Sequence, residues 1–87
     1  MQNHNVAFGC VLRKLRKQKR LSQEKLAFEA GLDRTTISLL ELGKRSPTLD
    51  TIMTLCAVLD IQLVDMAVEM LIALKENNTG HDTQGSA

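Results

Sequence analysis

Arginine, lysine, threonine, serine and glutamine supply the conspicuous side-chain chemistry of this sequence, and none of them stands in a catalytic arrangement. There is no glycine-rich phosphate loop, no HExxH and no Ser/His/Asp set. His4 and His81 lie in the two ends of the chain, where neither a catalytic nor a metal role is expected. Cys10 and Cys56 show neither CxxC nor Cys/His ligand spacing, so two reduced thiols in a cytoplasmic protein are the expectation. Cys56 falls on an apolar helical stripe and reads as core, whereas Cys10 lies off one and reads as more exposed. No cofactor and no metal are expected, and no enzymatic activity. What remains is recognition: guanidinium, ammonium, hydroxyl and amide groups bind charges and hydrogen-bonding edges without breaking covalent bonds.

The net charge of +1 conceals where those groups sit. Residues 1–45 hold ten Lys/Arg against four Asp/Glu, and residues 46–87 hold one Lys against six Asp/Glu. A surface field follows local charge, so the segregation points to a polyanionic partner for the first half. The run Arg13 to Arg20 alone has six basic residues in eight. Part of that run is accounted for as a solvated face and as cations favourably placed at a helix C-terminus. Arg13, Lys17, Lys19 and Arg20 remain available to approach phosphates.

The elements that must position these groups centre on Gln23 to Leu42, QEKLAFEAGLDRTTISLLEL. Ser22 supplies a capping oxygen for a first helix, with Glu24 in its first turn. Leu26, Ala27 and Ala30 share one face, and Gly31 stops the helix because a left-handed residue is needed there. Asp33 caps a second helix, whose buried face carries Ile37 and Leu40. Small Ala27 near Gly31 lets the two helices cross closely, the requirement of a helix-turn-helix. Before this pair, Phe8, Val11, Leu12 and Leu15 make the buried stripe of a helix starting near Val6.

Residues 10–72 resemble the Cro/phage-repressor type of DNA-binding domain, the XRE family. The matching residues are Leu12, Leu15, Arg16, the run Leu21-Ser22-Gln23, Leu26-Ala27, Ala30-Gly31-Leu32, Ile37-Ser38, Leu40-Glu41, Gly43-Lys44-Arg45, Pro47-Thr48-Leu49 and the segment Leu55 to Ile61. The resemblance implies an all-α, five-helix, lambda-repressor-like domain whose helices 2 and 3 form the motif. Its third helix is implied to lie in the major groove of double-stranded DNA.

The third helix turns Thr35, Leu39 and Leu42 away from Ile37, flanked by Arg34, Thr36 and Ser38. Arginine pairs bidentately with guanine, while threonine, serine and leucine meet base edges or thymine methyls, so Arg34, Thr35, Ser38 and Leu39 are the expected base readers. Gln23, Thr36, Lys44 and Arg45 flank that helix and are expected at phosphates. Arg16 and Glu41 each lie at the edge of a buried face, where an unpaired charge is costly. They are read as an ion pair locking helix 1 to helix 3, as the resemblance also implies. Leu39 and Leu42 depart from the family, which more often has polar residues there. They keep open an alternative, a protein-interaction module of the same fold such as an antitoxin that neutralises a toxin.

Thr48 caps a fourth helix with Leu49, Ile52, Met53, Cys56 and Leu59 at core spacing. A fifth is expected over about Leu63 to Leu74, with Leu63, Met66, Ala67, Met70, Leu71 and Leu74 facing the domain. Val64, Val68 and Ile72 form a second strip that one small domain cannot cover, so a homodimer on a pseudo-palindromic operator is expected. The domain is read as residues 6–74, with a flexible start over 1–5 and a disordered tail over 75–87. No apolar run approaches bilayer length and no signal peptide opens the chain.

Overall fold

A computed structural model describes residues 4–86, with side-chain surroundings for 4–76. Five helices follow in order: α1 (His4–Gln18), α2 (Gln23–Ala30), α3 (Arg34–Glu41), α4 (Leu49–Val58) and α5 (Leu63–Ser86). No strand occurs among the described residues. α1 packs on α3 and α5, and α2 packs on α3 and α4. The core is drawn from every helix: Phe8, Val11 and Leu12, then Leu26, Ile37 and Leu40, then Leu55, Leu59 and Met66.

α1 begins at His4, two residues before the Val6 start read from the sequence. Of the expected flexible start, Met1 to Asn3 lie outside the described residues, and His4 and Asn5 are helical. Gly9 sits inside α1 where its backbone meets α3. A Cβ there would overlap the carbonyl oxygens of Leu40 and Glu41, so only glycine admits this approach.

Two helices differ from their expected faces. On α4, Leu49 and Met53 are exposed, and the inward side is Leu55, Cys56 and Leu59 with Ile52 at its edge. The stripe therefore runs through Leu55, Cys56 and Leu59, and Leu49 begins the helix largely exposed. On α5, only Met66 is fully buried, with Met70 and Ala73 partly so. Leu63, Ala67 and Leu71, expected inward, are exposed together with Val64, Val68 and Ile72. α1 covers α5 along the Met66–Met70–Ala73 line, and Lys14 Nζ is 3.0 Å from Glu69 Oε1 across that contact. The backbone of α5 continues to Ser86, beyond the expected end near Leu74. Ala87, the last residue of the expected tail, lies outside the described residues.

Candidate nucleic-acid interface

Local chemistry fixes both helices of the motif. The Ser22 hydroxyl accepts from the Lys25 backbone N–H at 3.0 Å, which caps α2. Gly31 has φ +71°, and its N–H and that of Leu32 reach back to Phe28 O and Ala27 O at 3.3 and 2.8 Å. Asp33 then accepts from the Thr36 N–H at 2.7 Å and starts α3. Hydrogen bonds from the Thr36 side chain and then its backbone hold the Asp33 carboxyl below the usual carboxylate range, with the nearby Arg45 charge adding to them.

One carboxylate ties three helices together beneath the reading face. Arg16 Nε donates to Glu41 Oε2 at 2.6 Å and Nη2 to Oε1 at 3.0 Å. The remaining Arg16 Nη1 donates to Leu21 O at 2.8 Å, at the loop entering α2. Gln23 Nε2 donates to the same Glu41 Oε1 at 3.0 Å. The side chains of Arg16 and Glu41 are 11% and 4% exposed, so the expected edge pair is a nearly buried one. The Glu41 hydrogen bond raises the Arg16 pKa above its ordinary value, and burial opposes it only in part.

Gln23, expected at a phosphate, also takes a structural part in this cluster. One N–H of its side-chain amide donates to Glu41, which leaves the second N–H as a donor. The contact joins α2 to α3 and leaves no local spacing signal in the sequence. Of Thr36, Lys44 and Arg45, two are in contact along the flank of α3. Arg45 Nη1 donates to Thr36 Oγ1 at 3.3 Å, and the Lys44 N–H to Leu39 O at 3.0 Å folds the loop back on the helix. Gly43 allows that fold with φ +73° against Val6.

α3 shows the expected division. Ile37 and Leu40 are buried, Arg34 and Thr35 exposed, and Thr36, Ser38 and Leu39 half-buried. Leu42 closes the same outward face and is 59% exposed. Neither Arg34 nor Lys44 is in an ion pair among the described residues, and Arg13, Lys17, Lys19 and Arg20 are exposed cations on and just beyond α1. The sequence did not single out Phe28, which stands 79% exposed on α2 beside the Lys25 ammonium. Its position outside the α2 stripe was the available signal. Among the described residues no cluster of His, Cys, Asp and Glu has the makings of a metal site, and no helix is long and apolar enough to cross a membrane. Cys56 is buried against Met66, which pushes its thiol pKa up, while Cys10 is exposed.

Comparison with known proteins agrees with this geometry. The helix-turn-helix family model matches residues 12–66. Control protein C.BamHI of Bacillus amyloliquefaciens is 43% identical over 65 residues, covering 74% of this chain and 80% of that protein. The crystal structure of the restriction-modification controller protein C.AhdI from Aeromonas hydrophila superposes with a TM-score of 0.69 at 45% identity, covering 71% of this chain and 94% of that one. A variant of the controller C.Esp1396I, solved bound to its highest-affinity operator site, superposes with a TM-score of 0.77 at 26% identity, covering 85% of this chain and 97% of that one. The chain belongs to the helix-turn-helix family, in its Cro/phage-repressor (XRE) branch, and is a DNA-binding transcriptional regulator.

Proposed function

We propose that this protein controls a restriction–modification locus, binding as a homodimer to a pseudo-palindromic operator. The observation that carries the reading is the outward face of α3, uncovered by its own domain and flanked by cations, in a chain 43% identical to a control protein. Arg34, Thr35, Ser38 and Leu39 read base edges in the major groove. Thr36, Lys44 and Arg45 hold the phosphates beside it, and Gln23 belongs with Arg16 and Glu41 to the brace that sets the angle of α3. The protein acts in the cytoplasm by binding alone, without catalysis or cofactor.

The second copy is assigned to α5. Leu63, Val64, Val68, Leu71 and Ile72 are all exposed along one side of that helix, a wider strip than Val64, Val68 and Ile72 alone. A groove lined by Met53, Ala57, Ile61 and Leu63, with Asp60 and Gln62 as its polar members, continues it onto α4. An apolar surface of this extent on so small a domain is what a twofold mate covers. Pairing there presents two α3 helices to successive major grooves, about 10–10.5 base pairs apart.

Selection from a random duplex library tests the reading. Wild-type protein should return an inverted repeat, and Arg34→Ala should relax one or two positions per half-site at a cost of about 1–3 kcal/mol. An unchanged consensus for Arg34→Ala would remove Arg34 from the reading set.

A further inference from the structure

Leu42, the C-cap residue of α3, is a large apolar side chain left exposed at the end of that helix. With about 100° of turn per residue, it lies about 170° round the axis from the midpoint of the buried Ile37 and Leu40. Thr35 lies on that same outward line, and Ser38 and Leu39 stand to either side of it. The backbone at Leu42 is still right-handed, with φ −83° and ψ −5°, so the side chain continues the helical face and does not turn into the following loop. Its N–H bonds to Ser38 O at 3.0 Å, which holds it in that register.

The residues immediately after it bear on what Leu42 meets. Lys44 and Arg45 are exposed, and Arg45 is fastened to Thr36 on the flank of α3. When these cations sit at phosphates, Leu42 stays on the outward line that it shares with Thr35, facing the groove. A leucine has no donor or acceptor to offer a base edge. The apolar feature that the major groove displays is a 5-methyl group on a pyrimidine. Thr35 to Leu42 is about 10 Å along the helix, a reach of about three base pairs. Leu42 thus samples a pair different from the one met by Arg34 and Thr35.

We infer that Leu42 is a specificity-determining residue that recognises a pyrimidine 5-methyl group at one position of each half-site. The inference rests on the operator-binding reading above. Thymine carries that methyl by nature and 5-methylcytosine carries it after modification, so the shared chemistry is the methyl itself. Burying one such carbon against leucine is worth about 0.8 kcal/mol, which converts to about a fourfold change in affinity.

The test uses the full chain and the operator returned by selection, in two series. One replaces each thymine in turn by deoxyuridine; the other replaces each cytosine in turn by 5-methylcytosine. The expected result is a single position per half-site where the methyl changes wild-type affinity about fourfold, and where Leu42→Ala binds both forms equally. A position in the thymine series identifies thymine as the ligand, and one in the cytosine series identifies methylated DNA. If no position in either series is coupled to Leu42, the inference is overturned. It is also overturned if Leu42→Ala sediments as a monomer, which would place Leu42 in a subunit contact. Failure of the wild-type protein to select any sequence would defeat the operator reading first, before a variant is compared.

Discussion

Replacing Glu41 by alanine should cost this fold more than any surface substitution on α3. The carboxylate accepts two hydrogen bonds from Arg16, at 2.6 and 3.0 Å, and one from Gln23 at 3.0 Å. Its removal leaves the Arg16 guanidinium, 11% exposed, with Leu21 O as its remaining acceptor among the described residues. Stranding one member of a buried pair costs about 3–5 kcal/mol, and the 4% exposure of Glu41 puts this case in that range. A domain of this size has about 4–13 kcal/mol of total stability. Each kcal/mol lowers Tm by about 4–8 °C, so a fall of at least about 12 °C is expected. Thermal melts at one fixed protein concentration measure it, since dimerisation makes Tm concentration-dependent. Arg16→Met combined with Glu41→Leu should recover much of the loss, because an apolar pair leaves no orphaned charge. A Glu41→Ala protein melting within a degree or two of wild type would refute the buried brace.

Lys44→Ala and Arg45→Ala should each weaken all DNA sequences alike and lower the slope of log affinity against log salt by about 0.9 per protomer, about 1.8 per dimer; fluorescence anisotropy across a salt series measures this. A change in base preference at constant affinity would mean that the altered residue reads sequence. Val68→Glu puts a charge in the middle of the exposed α5 strip, and sedimentation should show a folded monomer with much weaker operator binding; a persistent tight dimer would move the interface elsewhere. Asp33 has its pKa lowered in the folded state, so its contribution is present above the unfolded value and is lost as pH falls below about 4. Asp33→Asn should therefore lose less stability than wild type between pH 7 and pH 3 in urea titrations, and an equal loss in both would contradict the capping account.

The motif was legible because its signals are local. Ser22, Gly31 and Asp33 each mark a helix end by the chemistry of a single residue, and all three act as read. Arg16 and Glu41 were legible for a different reason: each put a charge where its own helix turns inward, and only a mutual contact resolves both. Gln23 had no such conflict, so nothing near it in sequence announced a bond to Glu41. The orientation of α5 was hidden by composition. With apolar residues round most of the helix, periodicity does not choose a buried face, and the choice of Met66, Met70 and Ala73 is made by α1 packing on it. The ends of α1 and α4 also lack the glycine signal, since Arg20 and Asp60 take the left-handed conformation there, with φ of 58° and 55°.

The most direct test of the central claim is guanine-N7 methylation interference on the selected operator, because N7 faces the major groove. Two α3 helices in a twofold dimer predict two clusters of interfering guanines, about 10–10.5 base pairs apart on one face of the duplex. A single cluster bound by a dimer, or interference confined to minor-groove adenine N3, would contradict reading by α3.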